Sequence, residues 1–370
     1  LSEWPLLDHL DLAMERQLVQ ELGMEETLRF RHAEIHHVFY NDIGTLRRRR
    51  LHRRAGAVIE ERGQPQPEQF AAELAHHFRE AGDWTRALTY SIPAAQQAQE
   101  TYANETALFW YERTLGMLDK LNGQDDSSQA QAQRLLVYRA MGEVLQIVGQ
   151  WDEAYQTYQT AMDFADVIGD RSARAWYQTD LSNMLLRQSR FSEAMAYLAE
   201  AEETFRVTDD LAGLAQVLNY RGTTAAMQGE FELARAEYES AIQIRERLND
   251  KSSMGKLYSN LGTIALQLGD FSAAQAPYER GLSIQRQLND RFQIALLSNN
   301  LGDMYMLLGL YDTAQIYAED AVRIIREVGV IYHLALILHT LADILQAQRN
   351  FSAANILYQE SITIYLDLDV

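Results

Sequence analysis

An aromatic residue recurs at every fortieth position through the second half of this chain: Trp151, Phe191, Phe231, Phe271, Tyr311 and Phe351. An alanine stands three residues after each of these aromatics, from Ala154 to Ala354. A fixed period of this size indicates a stacked repeat, in which each unit packs mainly on its neighbours. Such an array reaches 370 residues by adding units rather than by enlarging one core. It also favours an extended binding surface over a catalytic centre.

Small residues occupy the second position of every unit: Gly142, Ser182, Gly222, Gly262, Gly302 and Ala342. A turn is predicted at Gly149, Ser189, Gly229, Gly269, Gly309 and Arg349. The helix after the turn carries a further set four residues beyond the repeat alanine: Tyr158, Leu198, Tyr238, Tyr278, Ala318 and Tyr358. We therefore predict helical hairpins whose small residues let two backbones approach closely. Four aspartates are expected to cap the first helix of the following unit: Asp170, Asp210, Asp250 and Asp290.

These residues resemble the tetratricopeptide repeat, whose pattern contains a Leu-Gly pair, then a tyrosine, then alanine, phenylalanine and alanine. The resemblance covers residues 129–370 and implies an all-α fold, a right-handed superhelix of helical hairpins. The usual unit of that family has about 34 residues, whereas the units here have 40. The longer unit resembles the version found in bacterial regulators and in peptide-sensing and adaptor proteins.

Residues 63–128 show a helical pattern without the strict period. Segments 68–81 and 83–99 predict a hairpin around Gly82, and residues 104–121 predict a further amphipathic helix. Pro93 is expected to kink or break the second of these helices. The polar residues 123–128 are expected to link this region to the regular array.

Residues 1–62 do not fit the repeat. Residues 10–22, 33–41 and 45–61 predict helices, and residues 27–31 predict a short strand. The sequences RFRHAEI (29–35) and LRRRRLH (46–52) resemble the end of the winged-helix domain in STAND-type regulatory ATPases. That resemblance implies that His32 faces the phosphates of a bound ADP in the parent protein. The chain contains no GxxxxGK[ST] loop, so the nucleotide-binding module itself is not part of this sequence.

Histidines and arginines near the amino terminus allow more than one interpretation. His32, His36 and His37 could place two imidazoles on one metal ion, but without a third ligand we favour surface histidines. The pair His76-His77 is a weaker candidate still, so we predict neither a metal nor a cofactor. The run Arg47–Arg50 could contact DNA. The apolar stripe on the same helix (Leu46, Leu51, Ala55 and Val58) instead favours a solvated or domain-facing role for the arginines.

Charge and composition narrow the classes of partner. The net charge is −19, of which residues 1–62 contribute only −1. The acidic repeats argue against nucleic-acid binding and favour a basic partner. The chain has no cysteine, which favours a reducing, cytoplasmic setting, and no stretch of about 20 apolar residues that would span a membrane. Because the first residue is not methionine, we expect a fragment of a larger protein.

Polar residues near the Leu-Gly pair are expected to line the concave face of the repeats, because the first helix of each unit forms that face in the resembling family. The expected groove residues are Asn183, Asn219, Tyr220, Thr223, Lys256, Asn260, Thr263, Asn299, Asn300, Asp303, His339 and Asp343. Asparagine is a mediocre helix former, yet it recurs here in the middle of consecutive helices. A carboxamide both donates and accepts, so a ladder of carboxamides could hold a peptide backbone. Tyr220 and Met306 would supply side-chain pockets.

Other functions remain open at this point. The asparagines could instead bond neighbouring helices or water. The array could sense a small-molecule inducer, or it could assemble through its last helix, where Ile356, Ile362 and Ile364 lack a capping partner. The sequence shows no nucleophile–base pair, which argues against an enzyme. We therefore predict a protein- or peptide-binding sensor or scaffold arm of a signalling or transcriptional regulator.

Overall fold

The computed structural model describes residues 3–22, 27–101, 103–121 and 127–367, and these residues are almost entirely helical. The chain divides into two compact units, residues 1–150 and 151–370. Across the described ranges, none of the helices combines the length and the apolar character needed to cross a membrane. The expected linker at 123–128 lies largely outside the described residues. The boundaries expected at residues 62 and 128 stay predictions.

The first unit is helical except for a β-hairpin between its first two helices. Its elements are α1 (Glu3–Glu15), β1 (Val19–Leu22), β2 (Thr27–Phe30), α2 (Ala33–Asp42), α3 (Thr45–Arg62), a short 3-10 helix (Pro67–Phe70), α4 (Ala71–Ala81), α5 (Trp84–Glu100), α6 (Asn104–Leu121) and α7 (Ser128–Ile147). The strands pair antiparallel, with Val19 opposite Phe30. The strand expected at 27–31 and the two helices after it are confirmed.

The structure corrects the helix expected over residues 10–22 and excludes a break at Pro93, while the kink expected there as the alternative stays a prediction. The helix expected over residues 10–22 ends at Glu15, because Gln17 adopts a left-handed conformation with φ of 55° and the next residues pair with β2. Pro93 does not break its helix, since α5 continues from Trp84 to Glu100. Ala94 and Ala95, which follow the proline, are buried in the core of the unit. Burial of this face outweighs the hydrogen bond that proline cannot donate.

Helix α3 buries a different face from the one expected. Leu46, Leu51 and Val58 are exposed, whereas His52 and Gly56 are buried. A Cβ atom at Gly56 would lie 2.9 Å from the ring of Phe78 on α4. The absence of a side chain at Gly56 therefore permits the close approach of α3 and α4.

The second unit contains one helix followed by five helical hairpins. The helix is α8 (Trp151–Ile168), and the hairpins are α9 (Arg171–Arg187) with α10 (Phe191–Val207), α11 (Leu211–Met227) with α12 (Phe231–Arg247), α13 (Lys251–Gln267) with α14 (Phe271–Leu288), α15 (Arg291–Leu307) with α16 (Tyr311–Val328), and α17 (Ile331–Ala347) with α18 (Phe351–Asp367). The first helices of the hairpins begin forty residues apart.

Side-chain caps fix where four of the first helices begin. The predicted caps are confirmed: the carboxylates of Asp170, Asp210, Asp250 and Asp290 accept hydrogen bonds from backbone N–H groups of α9, α11, α13 and α15, at 2.8–3.1 Å. These bonds satisfy donors that a helix start otherwise leaves without partners. The fifth first helix, α17, begins after Val330 and has no side-chain cap.

Left-handed residues join the two helices of each hairpin, as the sequence predicts. Gly229, Gly269 and Gly309 have φ values of 76–81°. Ser189 and Arg349 occupy the same turn with φ of 58° and 63°. This conformation strains residues that carry a Cβ atom, which accounts for glycine at most of these turns.

The small residue of the first helix packs directly on the repeat tyrosine of the second. A Cβ atom at Gly222 would lie 2.8 Å from the ring of Tyr238, and one at Gly262 would lie 2.5 Å from the ring of Tyr278. The Tyr278 side chain is 1% exposed. The expected close approach of the two helices is therefore confirmed at these hairpins, and it leaves no room for a methyl group.

We predict that Gly262→Ala destabilises the protein. The added methyl overlaps the Tyr278 ring, and overpacking of this kind costs about 1–3 kcal/mol, which exceeds the gain in helix propensity. Thermal unfolding followed by circular dichroism measures the change. Gly116→Ala in α6 is the matched control, because its Cβ would meet no atom within 4 Å; it should stabilise by about 0.5–1 kcal/mol. A Gly262→Ala protein as stable as the unaltered chain would contradict this packing.

Candidate functional site

The first helices of the five hairpins form a continuous row, which we call the first-helix row (α9, α11, α13, α15 and α17). Helices α9 and α11 touch each other, as do α13 and α15, and α15 and α17. A hydrogen bond between Asn260 and Asn219 links α13 to α11. Eleven predicted groove residues and Asp343 lie on this row. The sequence pattern therefore places them along one series of adjacent helices.

In three hairpins, the residue directly after the small residue of the first helix is hydrogen-bonded to the repeat tyrosine of the same hairpin. The hydroxyl of Thr223 lies 3.1 Å from the Tyr238 hydroxyl, and that of Thr263 lies 3.0 Å from the Tyr278 hydroxyl. The Tyr358 hydroxyl donates to Asp343 Oδ1 at 2.5 Å. Burial raises the pKa of Tyr278 to about 12. The residues at these groove positions therefore also provide a hydrogen-bond partner for the hydroxyl of a largely buried tyrosine.

Two of the asparagines connect neighbouring helices. Asn260 Nδ2 lies 3.5 Å from Asn219 Oδ1, and Asn300 Nδ2 donates to Ser259 Oγ at 3.3 Å. Both bonds span 41 residues, so the same contact recurs from one repeat to the next. Asn219, Asn260 and Asn300 are each only half-buried. These asparagines therefore form hydrogen bonds between neighbouring helices, which is the alternative role that the sequence left open. Their carboxamides are nevertheless still partly exposed to solvent.

Asn299 departs from the expected exposure. Its side chain is 8% exposed, and its Oδ1 is buried without a hydrogen-bond partner among the described residues. Asn299 sits two positions before Leu301, at the same repeat position as the half-buried Asn219. Met306 is also half-buried and packs against the core of the last hairpins. A shared repeat position therefore does not guarantee shared exposure.

A cavity of about 270 Å³ opens on the first-helix row and is lined mainly by polar side chains. The predicted residues in its wall are Asn183, Asn219, Tyr220 and Lys256. Gln216 and Arg245 also line it, and the sequence analysis missed both. The Arg245 guanidinium lies 3.0 Å from Asp250 and 3.1 Å from the Gln216 carboxamide. Arg245 was missed because it reaches the cavity from a second helix, α12.

Acidic residues gather farther along the row, on α15 and α17. Burial and the charge of Asp343 raise the pKa of the Asp303 carboxyl. The repeat that contains Asp303 has Ala318 where four other repeats have tyrosine, so its own hairpin supplies no repeat tyrosine to this carboxyl. His339 Nε2 lies 3.7 Å from Asp343 Oδ2. This part of the row therefore combines two carboxylates and an exposed histidine, a setting that favours a cation.

The remaining predicted residues belong to other elements of the chain. His32 precedes α2, is exposed, and makes no side-chain cap for that helix. Its role in sensing a nucleotide stays a prediction. His32, His36 and His37 form no three-ligand cluster within the described part of the chain. On the last helix, Ile356 and Ile362 are exposed, while Ile364 packs against the core.

Sequence comparison identifies the repeats. The profile of the tetratricopeptide repeat matches residues 133–206, 213–287 and 293–367, which together make up more than half of the chain. The chain belongs to the tetratricopeptide-repeat family. A search of curated proteins found no match to this sequence.

Solved structures share the fold of this tetratricopeptide-repeat chain. A Signal Transduction ATPase with Numerous Domains (STAND) protein with a tetratricopeptide repeat sensor, from Pyrococcus horikoshii, matches at 15% identity with a TM-score of 0.59, over 98% of this chain and 52% of that chain. The chain therefore spans about half the length of the STAND protein. At this identity the similarity establishes the fold alone.

Two Rap structures show the same similarity. A Rap protein complexed with Competence and Sporulation Factor matches at 14% identity, over 99% of this chain and 92% of that chain, with a TM-score of 0.59. The Rap conjugation gene regulator of the plasmid pLS20, in complex with the Phr* peptide, matches at 14% identity. Its match covers 78% of this chain and 76% of that chain, with a TM-score of 0.59.

We predict that Asp303→Asn stabilises the protein at neutral pH. The pKa of Asp303 is higher in the folded protein than in the unfolded chain. The folded protein therefore loses stability as the pH rises from the unfolded-state pKa, about 4, to the folded-state pKa. Asparagine removes this loss, so the melting temperature at pH 7 should rise, and the difference should shrink as the pH falls toward 4. Asp163→Asn, at an exposed position on α8, serves as the control. A lower melting temperature for Asp303→Asn at pH 7 would contradict the assigned cause.

Proposed function

We propose that the first-helix row binds an extended peptide or protein segment. The observation that carries this proposal is the cavity whose polar wall includes Asn183, Asn219 and Tyr220. Carboxamides there offer both donors and acceptors, which match the C=O and N–H groups of a peptide backbone. Asn183 is half-buried on α9 and faces the cavity, so its amide is available to a ligand.

A basic side chain on the ligand would lie against Asp303 and Asp343. The raised pKa of Asp303 shows that its charge is poorly compensated in the free protein. A ligand cation between the two carboxylates would reduce their mutual repulsion. That repulsion is present in the folded protein without a ligand, so its removal would add to the free energy of binding. The net charge of −18 outside residues 1–62 would further attract such a ligand over distance.

We further propose a regulatory setting, in which the chain acts as the sensor or scaffold arm of a signalling or transcriptional regulator rather than as an enzyme. The shared fold with a STAND protein that has a tetratricopeptide repeat sensor supports this proposal, as do the two Rap structures with bound ligands. Under the same proposal, residues 1–62 are the end of a winged-helix domain. The winged-helix resemblance of residues 29–35 supports that assignment.

Fluorescence anisotropy with labelled decapeptides tests the binding proposal. Three peptide sets on an Ala/Gly background carry two lysines, two glutamines or two glutamates at the same positions. We expect the lysine set to bind most tightly. Asn183→Ala should weaken every set by roughly two- to tenfold, since one hydrogen bond contributes about 0.5–1.5 kcal/mol. Asp303→Asn should weaken only the lysine set.

The matched control is Asn355→Ala, the same substitution on the exposed face of α18. It should leave all affinities unchanged. If no peptide set shows saturable binding, or if Asn183→Ala binds as the unaltered chain does, the peptide assignment is wrong. A small molecule that raises the melting temperature of the unaltered chain but not of Asn183→Ala would instead favour the inducer-sensing alternative.

Self-association is a second candidate function, favoured by the apolar surface of the last helix. Phe351, Ile356, Ile362 and Leu366 on α18 are 50–70% exposed. Exposed apolar patches of this kind are typical of interaction surfaces. We expect a concentration-dependent dimer in sedimentation or light scattering, which Ile356→Lys with Ile362→Lys abolishes. A chain that remains monomeric at high concentration would exclude this function.

A further inference from the structure

Three histidines meet where α3 packs on α4 in the first unit. His52 lies on α3, and His76 and His77 lie on α4. Each offers one ring nitrogen, and these three nitrogens all lie within 4.8 Å of one another. The close approach at Gly56, one turn after His52, brings the two helices together at this point. Neither the repeat pattern nor the proposed binding function accounts for this cluster.

The distances in the cluster suit a shared ligand. His52 Nδ1 lies 2.8 Å from His77 Nδ1, so one of the two nitrogens carries the only proton between them. A tetrahedral zinc ion with Zn–N bonds of about 2.0–2.1 Å separates its ligand nitrogens by about 3.3 Å. Replacing the shared proton by the ion therefore requires these two nitrogens to separate by roughly 0.5 Å, and the His76 nitrogen, which lies within 4.8 Å of both, to move toward them. His76 is the most solvent-exposed of the three histidines, so its ring has more freedom to move than the rings of His52 and His77.

Tyr40 supplies the outer support that metal-binding histidines usually have. Its hydroxyl lies 2.8 Å from His52 Nε2, the nitrogen that faces away from His77. When His52 Nε2–H donates to Tyr40, His52 Nδ1 has a lone pair on the side of the ring that faces His77. The hydrogen bond thereby selects the tautomer and the ring orientation that coordination needs.

Charged side chains of both signs surround the three histidines. Burial lowers the pKa of all three histidines, and the neighbouring imidazoles lower those of His52 and His76 further. Cationic Arg48, Arg79 and Arg113 act in the same direction, whereas Glu73 and Glu80 oppose them. Glu80 affects both His52 and His76 and is hydrogen-bonded to Arg79, so its carboxylate is close enough to compensate an added positive charge.

We propose that His52, His76 and His77 form a zinc site that fastens α3 to α4. Imidazole nitrogens suit Zn²⁺, and three protein ligands leave one position for water. The ion would tie the amino-terminal segment to the first helical hairpin through side chains 24 and 25 residues apart in sequence. This inference replaces the expectation from sequence that His76-His77 is only a weak metal candidate, and it does not depend on the peptide-binding proposal.

Isothermal titration of the full chain with Zn²⁺ tests the site. We expect one ion per chain, and a rise in melting temperature that a chelator reverses. His76→Asn removes an exposed ligand and should lower the affinity at least tenfold. Tyr40→Phe removes the outer hydrogen bond and should lower it about tenfold. His37→Asn is the matched control, because His37 is exposed on α2 and lies outside the cluster; it should bind Zn²⁺ as the unaltered chain does.

Titration with Co²⁺ gives a second readout that needs no variant. A tetrahedral site produces strong visible absorption, whereas a hexa-aqua or loosely held ion does not. The tetrahedral spectrum, together with selective loss in His76→Asn, supports the proposal. Its absence from the unaltered chain, or an equal loss of affinity in His37→Asn and His76→Asn, would show that the three histidines are only a hydrogen-bonded packing cluster.

Discussion

The contact between a small residue and a tyrosine ring determines the geometry of the regular array. Gly222 and Gly262 leave space that the rings of Tyr238 and Tyr278 fill, so each first helix approaches its second helix closely. Because each hairpin repeats the same spacing, neighbouring hairpins present equivalent surfaces to each other. The row of polar residues follows from this regularity: their positions coincide on successive helices only because the hairpins stack with a constant step.

The first-helix row shows how one set of side chains serves structure and recognition together. The Asn260–Asn219 and Asn300–Ser259 bonds join successive repeats, and Thr223 and Thr263 satisfy tyrosine hydroxyls. Such residues are already held in place before a ligand arrives, which lowers the entropy lost on binding. The Asp303 carboxyl contrasts with them, since burial and Asp343 disfavour its charge. A carboxyl whose charge is disfavoured by its surroundings is typical of a functional site.

Local signals in the sequence predicted the regular part of the fold well. The aspartate caps and the left-handed turns depend on residues close in sequence, and both are where the pattern placed them. Contacts between distant segments were not predictable in the same way. Strand β1 depends on pairing with β2, the continuity of α5 at Pro93 depends on burial, and Arg245 reaches the cavity from a second helix. His52 meets His77 across 25 residues, a separation that no helical period connects.

The uncapped start of α17 distinguishes the last hairpin from the four hairpins before it. Loss of a capping carboxylate costs about 1 kcal/mol, and Val330 stands where the earlier hairpins have aspartate. The first turn of α17 therefore has a backbone donor that α9, α11, α13 and α15 satisfy with a carboxylate. Since Asp343 lies on α17, one carboxylate of the acidic part of the row is carried by the first helix whose start is held least firmly.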